Sequence, residues 1–569
     1  MSYSHLKIDL QSLVKMLHSE KRADYYQYRA EIDSPLSRIC DSADALGPLI
    51  VKEKISFGRL RLCGRLFYSR FRPGDGVEIR TQKLNSDFSQ KLSYGWKVDE
   101  IIYPEPGQIE VIISNLKPDE ISDQVELFLF RSSSALFQTH LIKKVETLSR
   151  NGISPILGTD RFTLNRENSE FRQLFENLNS SQKKAVEYLI DHNLNGAIQG
   201  PPGTGKTQLL RAVIALALKS NMKVMLTSFT NAAVDNLLGR IVQPDVDYDW
   251  VRVGNADRVR REMYPHFLEN QNFVMNHFTK SVCEANLLGA TLHKLAYNSK
   301  APQVDLMVID EAGQVPIYFW PFIQRLAKRV ILVGDQYQLP PVLSSQHADL
   351  PFDNVFSFCI DSNTPMLDTQ YRMRREIQSW SSEKFYKGQL VPHTSVEKRD
   401  YFEHSSAFMT DGFVVSEKFE HKSEGTSSKA EPNFIANKVQ AMLKAGDDIR
   451  QVGVICPYRA QAGVVNAMLQ NRLGVQTASQ ILVDTVERFQ GQEREAIFLS
   501  LGISGNMPQQ LDFLSNPRRL NVSVTRAKSR FFCLADQRLL SRSQQSESED
   551  LNEFLRWVSY GNIRIKRAA

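Results

Sequence analysis

At 569 residues and 42% apolar composition, the chain has the length for about three or four domains and the apolar content for large buried cores. No apolar run reaches the ~18 residues of a membrane span, and the opening Met1-Ser2-Tyr3-Ser4-His5 lacks the basic-then-apolar pattern of a secretory signal. No membrane association is therefore expected, and a cytoplasmic location, or a nuclear one in a eukaryote, is. The formal charge of +6 permits a polyanionic partner without requiring one, and six cysteines at 40, 63, 283, 359, 456 and 533 are too scattered for a zinc site, which points to a reduced compartment.

Residues 1–150 form the first predicted domain. Leu60, Leu62 and Leu66 alternate with Arg59, Arg61 and Arg65, and further strand candidates follow at 77–84, 96–103, 108–113 and 125–130, broken by Gly, Pro and Asp clusters. About five short strands predict a small barrel. Leu136, Phe137, Leu141, Ile142, Val145 and Leu148 then lie at helical spacing. Arg59, Arg61, Arg65, Arg70 and Arg72 with Tyr68 are a candidate grip on a nucleic-acid strand; the alternative is a solvated barrel face.

Residues 151–355 carry a phosphate loop. Ala197 and Ile198 end an apolar strand, and Gly200-Pro201-Pro202-Gly203-Thr204-Gly205-Lys206-Thr207 follows, opening a helix with Leu209, Leu210, Ala212, Val213 and Leu216 on its buried face. Glycines in that setting let backbone N–H groups turn toward a nucleoside triphosphate, with Lys206 reaching the β- and γ-phosphates and the Thr207 hydroxyl on magnesium. A second apolar run, 305–309, ends in Asp310 and Glu311. Asp310 is the candidate magnesium partner and Glu311 the candidate base for the attacking water. A third, 330–333, leads to Gly334-Asp335-Gln336-Tyr337-Gln338, where Gln338 can report the γ-phosphate because an amide both donates and accepts. A small helical insert over the strand channel is expected at about 255–286.

Residues 356–540 are expected to form a further domain and 541–569 a polar linker with a closing helix, in which Leu551, Phe554, Leu555 and Val558 repeat at helical spacing. Arg372 and Arg526 are candidate arginine fingers for the charge that builds on a transferring phosphoryl group. The polar stretch 393–431 is expected to be irregular surface.

In order and wording these motifs resemble the superfamily 1B helicases of the up-frameshift and senataxin-like group. The match runs from Leu178-Asn179-Ser180-Ser181-Gln182 through Thr227-Ser228-Phe229-Thr230-Asn231, Gly289-Ala290-Thr291-Leu292, the acidic pair and Gln338 to Gln370-Tyr371-Arg372-Met373. It continues in Gly453-Val454-Ile455-Cys456-Pro457-Tyr458-Arg459, Glu487-Arg488-Phe489-Gln490-Gly491-Gln492-Glu493 and Val524-Thr525-Arg526. The resemblance implies an α/β fold of two RecA-like parallel-sheet motor domains, with an N-terminal small β-barrel on helical stalks and ATP between the motor domains.

Gln182 resembles the residue that reads adenine, which implies ATP. Tyr371 and Arg372 resemble the pair lying against the nucleotide, and Gln490, Gly491 and Glu493 the segment linking nucleotide and strand. Arg526 resembles the second-domain finger, and Thr230, Asn231 and Thr291 resemble contacts to the nucleic-acid backbone. Arg374-Arg375 stands where His-Pro is usual, Cys456 where Thr or Ser is common, and Ala430-Glu431-Pro432 where Glu-Ala is common, which leaves local second-domain contacts in question. The scattered cysteines set the chain apart from relatives with a Cys/His-rich domain or an iron–sulfur nuclease.

The implied activity is an ATP-dependent 5′-to-3′ helicase or translocase on single-stranded RNA or DNA, acting as a monomer with ATP and Mg2+. The alternative is an ATP-gated clamp or sensor with little unwinding. Glu311, Gln338 and Arg526 together favour the motor, because a clamp does not need all three.

Overall fold

Alternation of apolar and charged residues closes a six-stranded antiparallel barrel: β1 (Leu46–Ser56), β2 (Arg59–Gly64), β3 (Gly76–Thr81), β4 (Ser93–Ile102), β5 (Ile109–Ser114) and β6 (Leu127–Arg131), in the order β1-β2-β5-β4-β3-β6. The computed structural model describes residues 9–34, 40, 45–56, 58–81, 93–115, 125–132, 135–147, 162–242, 248–254, 259, 274–275, 279–345, 350–409, 411–420, 427–503, 511, 513–541 and 549–560. Leu60, Leu62, Val77, Trp96, Val111 and Leu129 fill the barrel, and closure leaves no strand edge unpaired. The sequence predicts about five strands and misses β1. Its second half reads Lys52-Glu53-Lys54, and register breaks between Val51 and Glu53 and between Lys54 and Ser56 destroy the two-residue period there.

The chain folds as two units, one of Met1–Tyr26, Ser134–Tyr371 and Gln389–His393, the other of Gln27–Ser133, Arg372–Gly388 and Thr394–Ala569. The helix Leu10–Asp33 contributes to both. In the first unit Leu13, Met16 and Leu17 join the core, and Glu20 accepts from the backbone of Ser344 at 2.7 Å and Ser345 at 2.8 Å. In the second, Glu31 holds Arg131 of β6 at 3.2 Å.

The first unit is built on β7 (Gly196–Gln199), β8 (Val224–Ser228), β9 (Trp250–Val253), β10 (Val274–Met275), β11 (Leu287–Thr291), β12 (Leu306–Ile309) and β13 (Val330–Gly334). All pairings are parallel, in the order β10-β9-β11-β8-β12-β13-β7. Successive strand residues serve opposite faces. Leu306 and Val308 enter the core beneath the helix Lys206–Lys219, while Met307 and Ile309 enter the core beneath Trp320–Leu326. Burial on both faces explains why these strands read as unbroken apolar runs. A two-residue parallel pair, β14 (Thr369–Gln370) and β15 (Val391–Pro392), completes the unit.

The second unit adds to the barrel a parallel sheet of β16 (Val414–Phe419), β17 (Val452–Cys456), β18 (Leu482–Thr485), β19 (Arg494–Ser500) and β20 (Ala527–Asp536), in the order β16-β20-β19-β17-β18. The two sheets are RecA-like. β16 corrects the expectation of irregular surface over 393–431: only its first half, Val414-Val415-Ser416, is buried, because it lies at the sheet edge and turns polar at Glu417-Lys418. The closing helix Glu549–Tyr560 buries Leu551, Phe554, Leu555 and Val558 as their spacing predicts. Most of the expected insert at 255–286 lies outside the described residues; within it are β10 and the helix Lys280–Glu284. Among the described residues no helix is long and apolar enough to cross a membrane.

Candidate functional site

The phosphate loop leaves β7 at Gln199 and enters the helix Lys206–Lys219 through Gly205. Gly203 and Gly205 take φ of 77° and 75°, and a Cβ at Gly205 would sit 2.5 Å from Gln182 Nε2, so both conformation and space demand glycine there. With Gly205 as N-cap, no side chain satisfies the first N–H groups of this 14-residue helix, which leaves them for an anion. Pro201, Pro202 and Thr204 are buried, and Thr204 Oγ1 donates to the Pro201 carbonyl at 2.8 Å, locking the turn. Lys206 Nζ donates to the Gly200 carbonyl at 3.0 Å and lies 3.9 Å from Glu311 Oε1.

β12 delivers the acidic pair. Asp310 N donates to the Thr227 carbonyl of β8 at 3.1 Å, and Glu311 N to Asp310 Oδ1 at 2.9 Å. Glu311 is held in a left-handed conformation, φ 52° and ψ 42°. Burial, then the neighbouring Glu311 charge, pushes the Asp310 carboxyl well above its ordinary range against the pull of Lys206. A divalent cation would offset that repulsion. The hydroxyl of Thr207 and the carboxylate of Asp310 are oxygen donors of the kind magnesium takes, and they would leave its further positions to water and phosphate. From β13, Asp335 takes Gln338 Nε2 at 3.1 Å and Gln199 Nε2 at 2.5 Å, so the 4% exposed Gln338 is anchored to the strand that begins the phosphate loop.

The same unit gathers the candidate base-reading groups. Asn179 and Gln182 form a capping box on the helix Ser180–Asp191, with the Asn179 oxygen accepting from Gln182 N at 2.9 Å and the Gln182 oxygen from Asn179 N at 3.0 Å. Gln182 Nε2 donates to the Thr204 carbonyl at 3.0 Å, so its amide is engaged at both ends. Asn179 Nδ2 donates to the Tyr371 hydroxyl at 2.9 Å, and Tyr371 N to the Gly203 carbonyl at 2.8 Å, which fixes the half-exposed Tyr371 ring beside the loop.

Thr230 and Thr291 both cap helices. Thr230 Oγ1 accepts from Ala233 N at 3.2 Å and Thr291 Oγ1 from Lys294 N at 3.3 Å. Because Ser228 of β8 pairs with Thr291 of β11, both caps leave the same end of the sheet. Asn231 opens the helix Asn231–Ile241 and its amide oxygen accepts from Arg252 Nη2 at 2.9 Å.

In the second unit Arg372, Gly491, Glu493 and Arg526 come together. Arg372 Nε lies 2.6 Å from Glu493 Oε2 and Nη1 donates to the Thr525 carbonyl at 3.0 Å; Lys528 Nζ holds the other Glu493 oxygen at 2.8 Å. Burial would raise the Glu493 carboxyl, but Arg372 and Lys528 outweigh it and pull it down to about 2. Gly491 makes the preceding turn at φ 78°. Arg526 is 2% exposed, donating to the Val522 carbonyl at 3.1 Å, the Gln492 carbonyl at 3.4 Å and Thr525 Oγ1 at 3.2 Å. Asn179, Asp335 and Lys528 are site residues that the sequence reading does not single out. Only Asn179 carried a signal, the N-cap followed three residues later by glutamine.

The departures from the family wording keep structural partners. Arg374 lies over the Phe413 ring at 3.2 Å, and Cys456 is buried in β17. Glu431 is fully buried and accepts from Ser500 Oγ at 2.6 Å and Gly502 N at 3.1 Å, so that second-domain contact is made.

The barrel arginines are mostly engaged. Arg59 pairs with Asp99 at 3.2 Å, and Arg61 with Glu53 at 3.3 Å and Glu110 at 3.2 Å. Arg72 pairs with Asp484 at 3.0 Å, Tyr68 donates to the same residue at 3.2 Å, and Arg70 packs 5.0 Å from the Phe71 ring centroid. Arg65 is exposed with no partner among the described residues. Arg59, Arg61 and Arg72 are thus ion-paired in this structure.

Two family models, each described as an AAA domain, match residues 177–281 and 269–346 in the one case and 352–538 in the other. The chain is similar to DNA polymerase alpha-associated DNA helicase A of Schizosaccharomyces pombe, 26% identical over 67% of this chain and 66% of that protein. It is 29% identical to DNA-binding protein SMUBP-2 of Rattus norvegicus over 63% of this chain and 43% of that one. It is 27% identical to the DNA replication ATP-dependent helicase/nuclease DNA2 of Xenopus laevis over 65% and 38%. The chain thus spans between 38% and 66% of these three relatives' lengths. Among solved structures it is similar to the arterivirus nonstructural protein 10 helicase, with a TM-score of 0.41 and 14% identity over 91% of this chain and 82% of that one. The matched models cover the phosphate loop, the acidic pair and the second-unit arginines, and the chain belongs to the superfamily 1B helicases of the up-frameshift and senataxin-like group.

Proposed function

We propose that the chain is an ATP-driven motor that moves 5′ to 3′ along single-stranded nucleic acid and separates duplexes or remodels nucleoprotein. The observation that carries the reading is the Lys206–Glu311 pair, 3.9 Å apart, where the phosphate loop meets the acidic end of β12. A loop that only held nucleotide would not need a carboxylate beside its phosphate-reaching lysine. Phosphate oxygens would replace the Gly200 carbonyl and the Glu311 carboxylate as partners of Lys206, leaving Glu311 to orient water and accept its proton. Magnesium held by Thr207 and Asp310 would neutralise charge developing on the phosphates. Gln338, positioned by Asp335, would report the γ-phosphate, and Gln182 and Tyr371 would hold the base of ATP.

Arg372 and Arg526 would stabilise the charge on the transferring phosphoryl group. Arg372 is ion-paired with Glu493 and Arg526 donates to the Val522 carbonyl in this structure, so turnover would require exchanging those contacts, a natural point for strand binding to control hydrolysis. Thr230, Asn231 and Thr291 would hold the strand backbone without reading bases. The three relatives named above, from Schizosaccharomyces pombe, Rattus norvegicus and Xenopus laevis, carry DNA in their descriptions, which makes DNA the first track to test.

The test is ATP turnover with matched single-stranded DNA and RNA, followed by opening of 5′-tailed and 3′-tailed duplexes. Strand-stimulated turnover with opening of the 5′-tailed duplex supports the proposal. Opening of the 3′-tailed duplex overturns the direction. Stimulation without opening of either turns the assignment toward a clamp or protein-stripping role.

A further inference from the structure

We propose that Arg252, a fully buried residue of β9 outside the nucleotide motifs, determines which end of the Asn231 amide faces a bound strand. The inference rests on the reading of Thr230 and Asn231 as backbone contacts. Arg252 is 0% exposed. Its Nε donates to Asp235 Oδ1 at 2.8 Å, its Nη1 to the Val253 carbonyl at 2.7 Å and its Nη2 to Asn231 Oδ1 at 2.9 Å. The surrounding backbone leaves little slack for the guanidinium: a Cβ on Gly254 would lie 2.9 Å from Nη1 and one on Gly289 3.4 Å from the Arg252 Cδ.

A guanidinium has five donors and no acceptor. The Asn231 atom that meets it is therefore the amide oxygen, whatever rotation of the amide the side chain could otherwise adopt. That leaves the Nδ2 hydrogens turned away from Arg252, and no described residue accepts from them. Asn231 is half-buried at the first turn of an 11-residue helix, where backbone N–H groups and the helix dipole already favour an anion. Donors presented there suit a phosphate oxygen, whereas a flipped amide would present its oxygen and repel it. Asp235, fully buried on the same helix, keeps the Arg252 charge from being stranded in the core. Arg252 is thus a positioning residue, acting on the strand through Asn231.

The test uses the full chain and a fluorescein-labelled oligothymidylate strand, with oligouridylate as the second probe, read by anisotropy. Arg252→Lys keeps a positive charge for Asp235 but loses the fork that reaches Asn231. It should weaken strand binding about tenfold and leave the salt slope unchanged, because no cation–phosphate contact is removed. Asn231→Ala should weaken binding by a similar factor, and Arg252→Lys should add nothing in that background. If Arg252→Lys melts early, Arg252→Met with Asp235→Leu replaces the ion pair by apolar side chains of similar bulk and takes its place in the cycle. Additive losses, or parental affinity in a folded Arg252 variant, overturn the inference. A parent chain that binds neither probe overturns the strand-binding reading instead.

Discussion

The sheets of the two units are both parallel, but they carry their polar groups at opposite ends. In the first, the phosphate loop, the acidic pair and Asp335 follow the carboxyl ends of β7, β12 and β13. In the second, Glu493 precedes β19, and Arg526 and Lys528 flank the start of β20. Helices of a parallel sheet begin over the carboxyl ends of its strands, so the first unit can bind an anion with backbone N–H groups and needs few cations. At the amino ends helices finish instead. There the helix Pro517–Val524 presents carbonyls, and Arg526 and Arg372 donate to those of Val522 and Thr525. One unit therefore builds its site mainly from backbone, and the other from long cationic side chains.

This contrast breaks most sharply at Lys206. Removing that side chain in Lys206→Ala should abolish ATP turnover, with a loss of about a thousandfold or more, while the circular dichroism melt stays near the parent's. Unchanged turnover would move the nucleotide elsewhere. Arg526→Lys keeps the charge but loses the planar fork; it should cut kcat by about a thousandfold and alter the KM for ATP little. A rise in KM at constant kcat would make Arg526 a binding residue. Glu311→Gln keeps the size of the side chain and removes the base, so hydrolysis should fall about a hundredfold while a fluorescent ATP analogue still binds. Parental hydrolysis in that variant assigns water activation to another group.

Smaller effects sharpen the second unit. Glu493 titrates at about 2 in the fold against 4.5 ordinarily. A depressed carboxyl contributes stability that is complete above the ordinary value and is lost as pH falls toward the folded one. Glu493→Gln should lower the melting temperature at pH 7, and the gap should narrow as pH drops through 4.5 toward 2; a gap independent of pH would show that the pairs with Arg372 and Lys528 contribute nothing. The smallest effect belongs to the barrel. Replacing Arg59 and Arg61 with Gln should leave the salt slope of strand binding intact, whereas a fall of about one unit per residue would restore the strand grip.

The backbone-built site was the more legible of the two. A glycine pattern between apolar runs states its own geometry, because the requirement at Gly203 and Gly205 is local. The acidic pair was legible for the same reason: β12 is a short apolar run ending in Asp310 and Glu311. The partners that complete these sites were not, since Asp335 reaches Gln199 across 136 positions and Arg252 reaches Asn231 across 21, and no periodicity announces such pairings. The barrel arginines show the opposite limit. Their alternation predicts a basic stripe, but the carboxylates that pair with it, Glu110 on the adjacent β5 and Asp99 one strand further on β4, are invisible to a reading of one strand at a time. β16 escaped notice because an edge strand buries too little to look apolar.

At position 311 the fold and the proposed chemistry ask for different residues. The left-handed backbone there suits glycine or asparagine, and a glutamate pays about 1 kcal/mol to adopt it. A chain selected only for thermal endurance would therefore drift toward Glu311→Gly, gaining a tougher protein that no longer turns over ATP. Directed evolution for heat resistance with no activity screen offers a direct view of that drift, and a screen that retains activity should hold the glutamate in place.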